Sequence, residues 1–409
     1  MLNWVKRFNI FCYLDNQQYS NEGYELLLAV NALSYIDNSF PFKQVDDFLS
    51  QKKAWSFGHL SYSLKSELLS LARGKKDRIG FPDFFFFQPE ILIILKKEEL
   101  LIHAKIPGDV FAQLIVEDEI IEQEKTEINL KQGVSKEKYF SIIQQLQAHI
   151  LRGDCYEINF CQEFFSDNVS INPAAIFQNL LKISPTPFSA FYRLNDKYLI
   201  SASPERFIKK SGNRIFSQPM KGTARRDLQN AFKDEQLKQT LFFDEKERAE
   251  NVMVVDLVRN DLSKICKDGT VKVDELFGVY SFPQVHQMVS TISGELKEDI
   301  AFSDIIKASF PMGSMTGAPK HRVMQLIEEY EPIGRGLFSG SVGYIDPEGN
   351  FDFNVVIRSI LYNQATKLLS YYAGSGITFY SNIEKEWEEC LLKAEAIKTV
   401  LTDSTGDKQ

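Results

Sequence analysis

Short apolar segments of strand length recur along the chain, and amphipathic helical segments separate them in no regular order. A repeating strand–helix–strand order would predict a parallel sheet, and this sequence lacks that rhythm. Hydrophobic residues make up 44% of the 409 residues, and phenylalanine alone occurs 32 times. The sequence therefore predicts strands and helices around a large aromatic core, in one large domain or two ordinary ones.

The composition divides the chain into three parts. Residues 1–130 mix short strands with weak helices and end in a charged segment. The apolar segment at 84–95 is interrupted by polar residues and Pro89, so we interpret it as two buried strands around a turn. Residues 131–401 form a larger second region, and the polar tail at 402–409 is expected to be mobile.

The second region opens with a clear helix. Ser135 is placed to cap it, its apolar residues share one stripe, and it ends at Gly153. Residues 156–164 nearly alternate between apolar and polar, which predicts a strand with one buried face. Residues 229–265 contain neither glycine nor proline and are predicted to be helical. Further strands are predicted at 188–193, 198–202, 271–277, 340–345, 354–361 and 368–373, and further helices at 173–184 and 383–401.

Charge and cysteine content narrow the class of protein. The net charge of −8 gives no indication of a nucleic-acid partner or of binding to an anionic membrane. The five cysteines are odd in number and lack metal-ligand spacing, so we expect free thiols in a reducing cytoplasm. The first residues lack the features of a secretory signal. No apolar segment reaches the roughly 20 residues that a membrane helix needs, so we expect a cytoplasmic protein without a membrane segment.

A basic loop at 217–226 carries the first candidate for chemistry, Lys221. The adjacent Gly222 lets a ligand approach the backbone, and Arg225 and Arg226 suit an anionic ligand. A lysine becomes a nucleophile when burial or a neighbouring cation lowers its pKa. A basic loop of this kind is by itself more often a solvated surface. The other motifs of the chain therefore determine whether this loop is interpreted as part of a functional site.

Seven further motifs accompany this loop: SPER at 203–206, KERAENVMVVDLVRNDL at 246–262, PMGSMTGAPK at 311–320, GSVGY at 340–344, IR at 357–358, AGSGI at 373–377, and EWEE at 386–389 leading to Lys393. Together they resemble the chorismate-utilising enzymes, which include the anthranilate, aminodeoxychorismate, isochorismate and salicylate synthases. The resemblance covers residue 135 to the end and is specific, because the motifs occur in the family's order.

The resemblance implies an α+β fold in which large antiparallel β-sheets pack as a sandwich with helices outside. It makes residues 131–401 a chorismate-binding catalytic domain and residues 1–130 an N-terminal region of the anthranilate synthase component I type. Lysine at position 221 is similar to the aminodeoxychorismate synthases, since anthranilate synthases carry alanine there. The implied reaction is Mg²⁺-dependent amination of chorismate by ammonia to 4-amino-4-deoxychorismate, for 4-aminobenzoate and folate synthesis.

In that reaction, Lys221 attacks the ring and displaces the hydroxyl, and ammonia then displaces the lysine. Glu205 is implied as the general acid and base that protonates the departing hydroxyl. The family's metal-binding glutamates correspond to two pairs, each three residues apart on a predicted helix, and Mg²⁺ prefers such oxygen ligands. These ligands are Glu247, Glu250, Glu386 and Glu389. The implied chorismate-binding residues are Thr223, Ser314, Arg358, Gly374, Gly376 and Lys393, of which the arginine offers a bidentate contact to a carboxylate.

Three positions depart from patterns within the family. Gln287 replaces a histidine, Phe338 replaces the tyrosine of anthranilate synthases, and Glu157 replaces the lysine base of the members that use water. An acid at position 157 argues against isochorismate or salicylate formation. Two alternatives stay open: anthranilate synthase component I, and a non-catalytic subunit that binds chorismate and Mg²⁺.

The source of nitrogen is expected to lie on another chain. Glutamine-hydrolysing subunits use a cysteine nucleophile in a glycine-flanked turn, and no cysteine here has that setting. Cys155, for example, lies between Asp154 and Tyr156. We therefore expect a glutamine amidotransferase subunit to deliver ammonia in a heterodimer.

Overall fold

The computed structural model describes residues 1–19, 23–72, 74–97, 99–116 and 128–402. Within these residues, nineteen strands form one hydrogen-bonded network in which every strand pair is antiparallel. Helices pack on this sheet, so the predicted α+β class with a large antiparallel sheet is confirmed. No helix of the described residues is long and apolar enough to cross a membrane.

The first region contributes five strands and four α-helices among the described residues. The strands are Ile10–Asp15 (β1), Leu26–Asp37 (β2), Ser56–Leu60 (β3), Phe84–Lys96 (β4) and Glu99–His103 (β5). The helices are Leu2–Val5 (α1), Val45–Gln51 (α2), Lys65–Leu68 (α3) and Pro107–Leu114 (α4), with 3₁₀ turns at Phe42–Gln44 and Tyr62–Leu64.

The second region supplies the remaining elements. Its strands are Lys131–Gln132 (β6), Glu157–Ser166 (β7), Phe188–Leu194 (β8), Lys197–Ser203 (β9), Arg206–Ser211 (β10), Arg214–Gln218 (β11), Met220–Arg225 (β12), Lys272–Ser281 (β13), Val285–Glu295 (β14), Gly317–Ala318 (β15), Ser341–Ile345 (β16), Phe351–Asn354 (β17), Ser359–Asn363 (β18) and Leu368–Ile377 (β19). Its helices are Lys136–Leu151 (α5), Pro173–Ile183 (α6), Ala231–Phe243 (α7), Glu245–Ser263 (α8), Phe302–Ser309 (α9), Lys320–Tyr330 (α10) and Ile383–Thr402 (α11), with a 3₁₀ turn at Gly313–Met315.

The sheet is continuous across the boundary predicted at residue 131. Strand β1 pairs with β2 on one side and with β8 on the other. Strand β3 pairs with β16, again joining the two regions. The division into an N-terminal region and a catalytic domain stays a prediction, and the two share one sheet.

The core lies on both faces of the sheet because side chains alternate along each strand. On β1 and β2, Cys12 and Leu27 belong to a core that contains many of the phenylalanines. Phe11 and Leu26, one residue away, face a second core that also contains side chains of α6 and α11. The predicted aromatic core is present, and the first core also contains side chains of α8 and α9.

Two predicted elements differ from the structure near their middles. The segment at 84–95 is the single strand β4 rather than two strands around a turn. Its Pro89 lies opposite Ala32, where β2 shifts register, so the strand continues although proline has no N–H. The helical segment at 229–265 is interrupted at Asp244, which has an extended backbone and caps α8 by accepting a hydrogen bond from Glu247 N.

Two predicted strands also differ, and both differences matter for the site. Strand β7 is buried on both faces rather than one, because Ile158 packs with α5 and α10 while Cys161 belongs to the same core as Cys12 and Leu27. The segment at 354–361 is divided between β17 and β18. Arg358 lies in the break with φ of 50°, a left-handed conformation that ends the regular strand. The tail beyond Thr402 lies outside the described residues.

Candidate active site

Lys221 lies in strand β12 rather than in a loop. This strand pairs with β14, and the pairing shifts register between Met220 and Thr223. Gly222 has φ of 84° within that irregularity, a conformation that glycine adopts without strain. The irregular strand therefore presents Lys221 at a point where the regular alternation of side chains is broken.

The lysine is buried between acidic side chains. Its Nζ lies 2.5 Å from Glu157 Oε1 and 4.0 Å from Glu250 Oε2, and 11% of the Lys221 side chain is exposed. Burial alone would lower the pKa of Lys221, but the charges of Glu157 and Glu250 outweigh it and raise that pKa. A Cβ on Gly376 would lie 2.6 Å from Glu157 Oε1 and 2.8 Å from Lys221 Nζ, so the ion pair requires glycine there. Lys221 is cationic in this arrangement.

Glu205 occupies the turn between β9 and β10 and is 3% exposed. Its Oε1 accepts a 2.6 Å hydrogen bond from Ser314 Oγ, in the 3₁₀ turn that follows α9. Burial raises the pKa of Glu205 to about 7, although the Ser314 hydrogen bond and the charges of Lys221 and Arg358 lower it. A carboxyl group that titrates near neutral pH is suited to both donate and accept a proton.

Gln287, the residue that replaces the family histidine, joins three parts of the site. Its Oε1 accepts hydrogen bonds of 3.2 Å from Thr223 Oγ1 and from Arg358 Nη2. Its Nε2 donates to Gly222 O at 2.8 Å. Burial lowers the pKa of Arg358 from its ordinary value, while Glu205 raises it. The glutamine thus holds the Lys221 strand against the arginine predicted to bind a chorismate carboxylate.

Gly374, Gly376 and Lys393 lie along one side of this cluster. A Cβ on Gly374 would lie 2.2 Å from Phe160 O, so β19 and β7 approach too closely for a side chain. Lys393 Nζ, on α11, donates to Gly374 O at 3.1 Å and to Glu389 Oε1 at 2.6 Å. The two glycines and the lysine therefore connect the Glu157–Lys221 pair with the acidic end of α11.

The four predicted metal ligands face one another from α8 and α11. Lys246 Nζ lies 3.7 Å from Glu250 Oε1 and 3.7 Å from Glu386 Oε1, so it bridges the two helices. Burial raises the pKa of Glu250 to about 7 and also raises the pKa of Glu247. For Glu389, burial raises the pKa, but the charge of Lys393 and its hydrogen bond lower it overall.

The four carboxylates are suitable ligands for a hard cation, but their positions in this structure do not form a metal site. Carboxylate oxygens are the ligands that Mg²⁺ prefers, and Glu250 Oε1 is buried without a hydrogen-bond partner. Across the described part of the chain, however, no three His, Cys, Asp or Glu side chains are grouped as metal ligands. Lys246 lies between the two helices, and half of its side chain is exposed.

All twelve predicted site residues lie in this one cluster, and further residues complete it. Sequence reasoning missed Lys246 and the pairing of Glu157 with Lys221. The first was detectable, because Lys246 precedes Glu250 by four positions on a helix. The second joins residues 64 positions apart on different strands, a contact that no local pattern indicates.

Beneath the cluster, buried Arg335 fixes the backbone that supports it. Its guanidinium donates to Met315 O at 2.7 Å, beside Ser314, and to Asn159 O at 2.8 Å, on the strand of Glu157. It also pairs with Glu331. This arginine was not singled out from the sequence, and its role is positional.

The antiparallel sheet, the paired helices and this cluster define a chorismate binding enzyme. The chain belongs to that family, whose pattern matches residues 11–399. An anthranilate synthase component I-like protein of Synechocystis sp. is 35% identical over 366 residues, which cover 88% of this chain and 75% of the relative. Aminodeoxychorismate synthase component 1 of Salmonella typhimurium is 42% identical over 260 residues, which cover 64% of this chain and 56% of the relative. The chain thus matches little more than half the length of the second relative.

Solved structures agree with the predicted fold. Anthranilate synthase component I from Streptococcus pneumoniae superposes with a TM-score of 0.81 at 25% identity, covering 93% of both chains. The menaquinone-specific isochorismate synthase of Escherichia coli also gives a TM-score of 0.81, at 18% identity, and covers 98% of this chain and 91% of its own. The second likeness shows the fold alone.

Proposed function

We propose that this chain aminates chorismate with ammonia to 4-amino-4-deoxychorismate, the precursor of 4-aminobenzoate for folate synthesis. The observation that carries the proposal is the buried Lys221, held by Glu157 in the same cluster as Glu205 and Arg358. A relative whose printed name gives this activity is 42% identical over the matched residues. We further propose that the reaction takes place in the cytoplasm.

Three residues of the chain have separate roles in the proposed reaction: substrate binding, proton transfer and covalent attack. Arg358 offers two parallel donors to one carboxylate of chorismate. Glu205 holds the proton that the departing ring hydroxyl requires, since its pKa is about 7. Lys221 forms a bond to the ring as the hydroxyl leaves, after passing its own proton to a neighbouring acceptor, and ammonia then displaces the lysine.

A Mg²⁺ ion would be held by Glu250, Glu386 and Glu389, with Glu247 beside them. When bound, it would supply positive charge to the other carboxylate of chorismate and to the developing charge of the departing hydroxyl. Lys246 would withdraw from between the helices. Ammonia would come from a glutamine amidotransferase partner, consistent with the term component 1 in the relatives' names.

The alternative reaction is that of anthranilate synthase component I. Relatives of that name are also close: the Thermus thermophilus protein is 31% identical over 353 residues, covering 83% of this chain. Lys221 favours the first proposal, because the covalent route requires a lysine nucleophile and direct addition of ammonia does not.

Product analysis tests the proposal. The purified chain is incubated with chorismate, Mg²⁺ and ¹⁵N-labelled ammonium, and the mixture is analysed by liquid chromatography and mass spectrometry. We expect one product in which a hydroxyl is replaced by a labelled amino group and the enolpyruvyl ether is retained. Anthranilate with free pyruvate, or isochorismate, would contradict the proposal. Chorismate binding without turnover would favour the non-catalytic alternative.

A further inference from the structure

We propose that Lys320 is a positioning residue for the candidate acid Glu205, because it holds in place the segment that carries Ser314. The inference rests on the proposed amination and extends it, since it concerns how the proton donor of that reaction is held. Lys320 is the first residue of α10, and its side chain is mostly buried. Burial of a cation is costly unless the cation is paired, so the partners of Lys320 indicate its role.

The ammonium group of Lys320 joins the two ends of one segment. Its Nζ donates to Ser309 O, at the end of α9, at 3.0 Å. It also donates to Asp261 Oδ2, near the end of α8. Residues 310–319 begin at the end of α9 and finish at the start of α10. The lysine therefore closes these residues into a loop and attaches the loop to α8.

The same loop places Ser314 against Glu205. Ser314 Oγ donates to Glu205 Oε1 at 2.6 Å, and this hydrogen bond lowers the pKa of Glu205 against the larger effect of burial. On the other side of the loop, Asn159 Nδ2 donates to Ser314 O at 3.1 Å. The position of the loop thus determines how well the serine stabilises the ionised form of the acid.

Helix α8 is the element against which the loop is positioned. Gly313, beside Ser314, packs so closely on α8 that a Cβ there would lie 3.3 Å from Leu257 Cβ. Lys320 attaches the far end of the loop to Asp261, which lies one turn further along the same helix. Loss of the Lys320 contact should therefore weaken the hydrogen bond of Ser314 without removing the serine.

Lys264 provides a matched control for Lys320. Its Nζ donates to the other oxygen of the same carboxylate, Asp261 Oδ1, at 3.0 Å, and half of its side chain is exposed. Lys264→Met therefore removes one cation from Asp261 and leaves the loop contact intact. Lys320→Met removes the loop contact, and Lys264 remains to pair with the carboxylate, so the variant leaves no unpaired buried anion.

The test measures the pH at which Glu205 is half protonated in each variant. One measurement is the alkaline decline of the amination rate at constant free ammonia. The other is nuclear magnetic resonance of ¹³C-labelled glutamate carboxyl groups, assigned with Glu205→Gln. Ser314→Ala removes the hydrogen bond and should raise this pH by about one unit. Lys320→Met should raise it by about half a unit, Lys320→Arg should restore it, and Lys264→Met should match the wild type.

Asp261→Asn separates positioning from a simple effect of charge. Loss of the Lys320 cation would by itself raise the pKa of a nearby acid, whereas loss of the Asp261 anion would by itself lower it. Weaker attachment of the loop should instead raise the pKa of Glu205 in both variants. Lys221 and Arg358, the other charged groups that act on the Glu205 carboxyl, are retained in every variant.

The outcomes separate this inference from the proposed function. An unchanged titration of Glu205 in Lys320→Met, or an Asp261→Asn titration that does not move upward, would overturn the positioning role alone. A wild type that forms no aminated product would overturn the proposed function, and the resonance titration would still test the contact of Ser314 with Glu205. If Lys320→Met fails to fold by circular dichroism, Asp261→Asn decides, since only an upward shift supports the inference.

Discussion

Ser314 Oγ donates a 2.6 Å hydrogen bond to Oε1 of Glu205, joining residues 109 positions apart in the chain. This contact places the turn after α9 directly against the candidate acid. Burial raises the pKa of Glu205 to about 7 despite the hydrogen bond, so the carboxyl group is partly protonated at neutral pH. Glu205 can therefore donate a proton in the site, and the fraction of Glu205 that is protonated depends on pH.

Glu205→Gln should lower kcat by roughly 10²–10⁴-fold, the usual contribution of a general acid. In the wild type, the protonated fraction of Glu205 falls as pH rises through about 7, so the rate at constant free ammonia should fall with it. The variant should lack this decline. Measuring rates from pH 6 to about 9 checks both statements, and the same alkaline decline in Glu205→Gln would refute the assignment.

Lys221→Ala should lose most formation of the aminated product while still binding chorismate. The missing interaction belongs to the reaction rather than to ground-state binding, so kcat should fall without a rise in the dissociation constant of chorismate. Lys233→Ala serves as the control, because Lys233 makes an exposed ion pair with Asp227. Wild-type rates in Lys221→Ala would remove the lysine from the mechanism.

The acidic helix pair predicts a requirement for Mg²⁺. A chelator should abolish the activity, and added Mg²⁺ should restore the activity. Glu389→Gln should raise the Mg²⁺ concentration for half-activation by at least about tenfold, whereas the exposed Glu388→Gln on the same helix should not. Calorimetry of Mg²⁺ binding gives the same comparison without turnover. Full activity in excess chelator would exclude the metal site.

Glutamine should not serve as the nitrogen source for the isolated chain. All five cysteines are buried and free. Burial raises the pKa of each thiol, for instance Cys155 and Cys390 to about 11, so none is a ready thiolate nucleophile. Product should therefore form from ammonium and not from glutamine when ammonium is rigorously removed. Steady amination from glutamine alone would mean that this chain contains an amidotransferase site.

The sequence predicted those parts of the fold that depend on neighbours along the chain. Helix α5 begins after Ser135, whose side chain accepts from Lys138 N at 3.3 Å as the capping pattern predicts. The break at Asp244 was missed although Asp244 is itself a good capping residue. Asp244 ends α7 and begins α8, although the residues on both sides of it are typical of a helix.

The contacts that shape the site depend on strand register, which sequence patterns leave open. The motifs predicted the site residues, and the structure brings these residues into one cluster. Their chemistry depends on contacts across the sheet, such as Glu157 with Lys221 and Gln287 with Arg358. The left-handed Arg358 is a further example, because only the packed sheet shows where β17 ends and β18 begins.

The position of nitrogen in the product tests the central claim most directly. The purified chain is supplied with chorismate, Mg²⁺ and ¹⁵N-labelled ammonium, and the product is examined by nuclear magnetic resonance. We predict that the labelled nitrogen is bonded to the ring carbon that carried the hydroxyl, with the enolpyruvyl group still attached. Labelled nitrogen on the ring carbon beside the one that bears the carboxylate, or its appearance in anthranilate, would contradict the account.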